Sequence, residues 1–85
     1  MNYKVLKDSI NLPLLLAIEA RIKNEGDLFV KYMQEYIHNL TGENEDYEMY
    51  LFAYHELLDY YKSVNDQEQI IHTYDKMMEI INLVS

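Results

Sequence analysis

Apolar side chains recur at intervals of three and four along most of the chain, and that rhythm predicts helices rather than strands. Two glycines and one proline are the only strong breakers, and they fall between the periodic stretches or at their starts. The expected helices run over about 13–24, 27–40, 45–63 and 67–83. Pro13 suits the first turn of the first helix, where a missing N–H leaves no bond unmade. Gly26 can end that helix in the left-handed conformation, and Asp27 can cap the next. Gly42 and Asn44 repeat this arrangement, with Glu45 and Asp46 in the first turn of the third helix. Asn65 and Asp66 repeat it again, and Asp66 with Gln69 has a capping-box spacing. Over residues 2–10, Tyr3, Leu6 and Ile10 have helical spacing, which favours a short additional helix.

The expected core stripes follow from the same rhythm. The first helix offers Leu15, Ile18 and Ile22 with Leu14 alongside. The second offers Phe29, Tyr32, Met33, Tyr36, Ile37 and Leu40, and the third Tyr47, Leu51, Tyr54, Leu58 and Tyr61. The fourth offers Ile70, Tyr74, Met77, Ile81 and Val84. Loops this short make consecutive helices antiparallel. The fold class is therefore all-α: one domain over 1–85 with four antiparallel helices, or five with the N-terminal one, as a bundle or a stack of helical hairpins.

Charge narrows the function. The formal net charge is −8, and the seven basic residues are scattered. Direct binding to nucleic acid or to an anionic membrane needs clustered Lys and Arg, so neither is expected. The acids are not spread evenly. Between Lys31 and Lys62 there is no base at all, while the interval holds seven carboxylates and seven of the nine tyrosines. An anionic, aromatic surface of this kind suits a basic protein partner. Without cysteine, disulfides and thiolate metal sites are excluded. The best N-terminal apolar run, Leu12 to Ile18, is interrupted by Pro13 and falls short of the roughly 20 residues of a membrane span. A soluble, cytoplasmic protein is expected.

Residues 57–80, with Tyr61, the Asn65-Asp66 turn, Tyr74 and Met77, resemble the middle of a tetratricopeptide repeat. The resemblance covers about a third of the chain. It departs from the family at Leu58 and Ile70, where the family has small residues, and no proline follows the second helix. It implies a helical-hairpin scaffold that binds a peptide or acts in a complex, and it implies no catalytic residue.

Candidate chemistry is sparse. His55-Glu56 begins a zinc-protease pattern, but Asp59 stands where the second histidine belongs. Glu35 and His38 make one Glu-x-x-His step, whereas a di-iron site needs two. Serines are few and no Gly-rich elbow or phosphate loop exists. No enzyme activity, metal or cofactor is expected.

The back of the third helix is more informative. With Tyr54 inward and about 100° per residue, Glu45, Phe52 and Glu56 point away from the core, flanked by Glu48, Met49, Asp59 and Tyr60. A helix with a single buried stripe should not carry Phe, Met and Tyr on its outer face. The helix is either packed on two sides, or it presents an apolar anchor ringed by carboxylates. The second reading makes Glu43, Glu45, Asp46, Glu48, Met49, Phe52, Glu56, Asp59 and Tyr60 a partner-binding set. The expected function is then a non-enzymatic acidic binding module: an inhibitor or immunity-type protein, similar in composition to small phage antagonists, that occludes a basic surface of a larger protein. A tetratricopeptide-like adaptor is the alternative, and homodimerisation through the third helix is a further use of the same apolar surface.

Overall fold

Asn24 and Asn65 decide where the chain turns. Both hold positive φ, 62° and 59°. The computed structural model describes residues 11–40 and 46–84, and within them the chain forms α1 (Asn11–Ile22), α2 (Gly26–Asn39), α3 (Tyr47–Ser63) and α4 (Gln67–Val84). No strand occurs among the described residues. The all-α class and the four helices are those the periodicity predicts, with ends displaced by up to two residues. The short helix expected over residues 2–10, Gly42 and the cap expected at Asn44 lie outside the described residues.

The two turns have the same construction. At the end of α1 the Glu25 amide donates to Ala20 O (2.8 Å) and the Asn24 amide to Arg21 O (3.1 Å). At the end of α3 the Asp66 amide donates to Tyr61 O (3.0 Å) and the Asn65 amide to Lys62 O (3.1 Å). This is the Schellman pair of bonds, closing helix carbonyls that otherwise lack partners, with asparagine at the left-handed position. Asparagine enters that region because its short amide bonds locally. At the second turn Gln67 Nε2 donates to Asn65 Oδ1 (2.8 Å). Gly26 was the expected left-handed residue, but Asn24 takes that role two positions earlier and Gly26 opens α2. Asp27 consequently sits in the first turn of α2 instead of capping it. The cap expected at Asp66 does form, since its Oδ1 accepts from the Gln69 amide (3.3 Å).

The chain divides into two compact units at Leu40 and Thr41, each containing one antiparallel pair: α1 against α2, and α3 against α4. In the first hairpin α2 buries Phe29, Met33 and Tyr36, with Leu40 buried at its C-cap, as its stripe predicts, while Tyr32 and Ile37 of that stripe are half-buried. The α1 stripe is not as expected. Leu15, Ile18 and Ile22 are exposed, and Pro13, Ala17 and Ala20 are the buried positions. The alanines have no bulk beyond Cβ, so α2 can approach closely, and Leu15, Ile18 and Ile22 are turned outward while Leu12, Leu14 and Leu16 are half-buried. Arg21 places its guanidinium 5.1 Å from the centre of the Phe29 ring, a cation–π contact of about 0.5–1 kcal/mol at an exposed site.

In the second hairpin the buried face is also rotated from the expected one. Ala53, Leu57, Leu58 and Tyr61 are buried on α3, while Tyr47, Leu51 and Tyr54 are half-buried. On α4 the buried residues are Thr73 and Ile80, with Ile70 and Met77 half-buried and Tyr74 and Ile81 exposed. Thr73 is tolerated inside because its hydroxyl donates to Gln69 O (2.7 Å), so no polar atom is stranded.

Candidate partner-binding face on the third helix

The buried side of α3 leaves its opposite side in water. Phe52 is 46% exposed and Met49 45%, too much for core residues and too large an apolar area for an ordinary solvated helix face. They stand one turn apart. Glu56 and Tyr60 continue the line at successive steps of four, and both are half-buried. Glu48, His55 and Asp59 lie beside that line and are exposed. Tyr60 leans on Tyr61, with ring centres 5.8 Å apart and planes at 59°, which anchors one end of the line to a buried ring.

The carboxylates here are not neutralised. Among the described residues, none of Glu48, Glu56 and Asp59 pairs with a lysine or arginine. Glu56 Oε2 lies 3.9 Å from His55 Nδ1, a contact that carries charge only when the imidazole is protonated. The one ion pair to a lysine among the described residues is Lys23 to Glu19, on α1 (3.7 Å). The face therefore keeps its negative field, with desolvatable rings in the middle of it.

Three members of the expected set depart from this picture or fall outside it. Asp46 is only 9% exposed. It directly precedes α3 with its backbone already in the helical region, and at this burial it is removed from the binding face. Glu43 and Glu45 lie outside the described residues. The structure brings together Glu48, Met49, Phe52, Glu56, Asp59 and Tyr60.

Other groupings bear on chemistry. The donor atoms of His55, Glu56 and Asp59 lie within 4.8 Å of one another. Three surface donors from a single turn leave a shell open, whereas a structural zinc site takes four. Glu35 and His38 are both exposed on α2, edging a shallow depression with Lys31 and Gln34, whereas a bundle di-iron site requires them inward. In the second hairpin Tyr47, Tyr50 and Tyr54 of α3, with Lys76, Glu79, Ile80 and Leu83 of α4, line a cleft of about 230 Å³. Burial, then the neighbouring Tyr50 and the Glu79 carboxylate, raises the Tyr54 hydroxyl above its ordinary pKa. Burial, then Asp66 and Tyr60, does the same for Tyr61.

Sequence reasoning missed one surface. Ile71, Tyr74, Met78 and Ile81 of α4 are all exposed. Their 3-4-3 spacing lies in the sequence, but the expected stripe takes Tyr74 and Ile81 inward, and the structure leaves both exposed. Among the described residues, no helix is long and apolar enough to cross a membrane.

Compared with known proteins, the chain matches no family model, no curated protein and no solved structure.

Proposed function

We propose that this chain is a non-enzymatic acidic binding module, of the inhibitor or immunity type, that occludes a basic surface on a larger protein. The observation that carries this reading is the half-exposed Phe52 and Met49 set among Glu48, Glu56 and Asp59, acids with no lysine or arginine partner among the described residues. The carboxylates replace phosphate on the partner's cationic surface, steering the encounter and fixing orientation. The two apolar side chains enter a desolvated notch and supply most of the affinity. A nucleic-acid-binding surface is the most natural target, because it is already shaped for regularly spaced negative charge.

The anchor's size can be worked out. An aromatic side chain carries about 200 Å² of buriable area. With Phe52 at 46% exposure, about 90 Å² remains to be covered. At about 25 cal/mol per Å² this is about 2 kcal/mol, or about thirtyfold in Kd. The test is a capture experiment at low and high ionic strength, with a photo-crosslinker placed beside Phe52 to identify the bound protein. The expected result is a basic protein, lost at high salt and lost with Glu48→Lys/Glu56→Lys/Asp59→Lys, and bound about thirtyfold more weakly by Phe52→Ser. Recovery of the same partner by the folded triple-lysine variant would exclude this mechanism.

A second reading, a tetratricopeptide-like adaptor that binds a peptide or acts within a complex, draws support from the repeated turn. Asn24-Glu25 and Asn65-Asp66 close two helical hairpins with the same bonds. Binding through such a scaffold would depend on groove residues and less on salt.

A further inference from the structure

The α4 face carries an inference that goes beyond the α3 reading and does not depend on it. Ile71 is 61% exposed and Met78 53%, with Tyr74 and Ile81 exposed between and beyond them. Steps of three, four and three place these side chains along one side of the helix, over about 15 Å. This is the spacing of a coiled-coil seam, in which alternating side chains insert between those of a facing helix. Scattered exposed apolar residues need no explanation, but four in one line mark an interaction surface.

The two edges of the seam differ. On one side Ile70 and Met77 are half-buried and extend the apolar surface toward the hairpin core. On the other side Glu68 and Asp75, one heptad apart, are exposed and stand directly beside the line. Neither pairs with a base among the described residues. Lys62 places its Nζ 5.7 Å from the centre of the Tyr74 ring.

The edges decide what can cover the seam. A second copy in antiparallel orientation would set Glu68 and Asp75 against the same residues of the other chain, repelling along the contact. A parallel copy would set them against Ile70 and Met77, leaving carboxylates desolvated beside apolar side chains. A helix with lysine or arginine on its flanks satisfies both edges, since the aliphatic stems cover Met77 and Ile70 and the charged ends meet the acids. We propose that the Ile71–Tyr74–Met78–Ile81 face of α4 docks an amphipathic helix of another protein whose apolar seam is flanked by Lys or Arg.

The probe is a fluorescein-labelled peptide of roughly three heptads, with leucine at the seam positions and lysine on both flanks. It is compared by fluorescence anisotropy with its glutamate-flanked counterpart and with a scrambled peptide of the lysine composition. The expected result is saturable binding of the lysine peptide alone. Ile71→Glu/Met78→Glu weakens it by at least about tenfold with unchanged helical circular dichroism, and Glu68→Lys/Asp75→Lys transfers preference to the glutamate peptide. Phe52→Ser on α3 leaves the binding as it was, so this result and the one for the α3 face are read separately. Equal binding of the scrambled peptide, no binding by the folded protein, or unaltered preference after charge reversal overturns the proposal. So does a dimer in light scattering that Ile71→Glu dissociates, because a second copy then occupies the seam.

Discussion

Asn65 offers the most direct test of how the second hairpin is closed. Its φ of 59° places Cβ against the following carbonyl, which costs about 1–2 kcal/mol for a residue with a side chain and nothing for glycine. Asparagine recovers part of this through local hydrogen bonding, here by accepting from Gln67 Nε2 at 2.8 Å. Asn65→Ala keeps Cβ and loses the amide, while Asn65→Gly loses both. The bond to Gln67 is absent from either variant, so their difference isolates the backbone term. Glycine's looser unfolded chain reduces that difference by about 0.4–1 kcal/mol. The net expectation is that Asn65→Ala is about 1 kcal/mol less stable than Asn65→Gly, or about 4–8 °C in Tm for a chain of this size. Thermal unfolding followed by far-ultraviolet circular dichroism measures it. Asn82→Ala, at an exposed position inside α4, serves as the control and should be neutral or slightly stabilising, because alanine is the better helix former. If alanine at position 65 melts no lower than glycine, the left-handed turn is not what holds these two helices together.

Met33 is 1% exposed in the first hairpin, so Met33→Ala should remove about 2–5 kcal/mol in urea unfolding, and a loss below about 1 kcal/mol would mean the site collapses around the smaller residue. Tyr54 and Tyr61 have folded-state pKa values raised above the ordinary 10.0, so folding favours their neutral forms. Their contribution is complete below that ordinary value and is lost as pH rises through the raised one. The double variant Tyr54→Phe/Tyr61→Phe should therefore lose less stability than the parent on the alkaline side of pH 10, measured by denaturant titration alongside tyrosinate absorbance. Parallel curves for the two proteins would refute the linkage.

Helix existence was legible because breakers are few, and among the described residues Pro13 and Gly26 both fall in the first turn of a helix. The facing of the helices was much less so. In α2 most apolar residues other than the exposed Leu28 share one side, and Phe29, Met33 and Tyr36 lie where the stripe puts them. In α1 and α4 apolar residues occupy more than one side, so periodicity alone could not choose between them. Size did the choosing in α1: Ala17 and Ala20 allow close approach, and Leu15, Ile18 and Ile22 were left outside. Hydropathy ranks those residues the other way round. In α4 the buried centre is Thr73, which a hydrophobic pattern overlooks because its hydroxyl is satisfied only once the helix and its Gln69 carbonyl exist. Gly26 misled for a related reason, since glycine is the default left-handed residue and the asparagine two positions earlier already held that conformation.

Those same displacements explain why the second hairpin has surface left over for partners. A helix with one apolar stripe spends it on its neighbour. Helices α3 and α4 bury part of their apolar residues between them and still expose Met49 and Phe52 on one, Ile71 and Met78 on the other. The two exposed sets differ in physical character. On α3 the apolar area is small and acids flank both residues, so electrostatics should set the rate of encounter and salt should weaken binding. On α4 the apolar line is longer and acids edge only one side, so burial should dominate the lifetime of a complex and salt should matter less. A single basic partner covering both would show a salt dependence close to that of the α3 face and a dissociation rate governed by Ile71 and Met78. Two separate partners would respond to salt independently, each through the substitutions on its own helix.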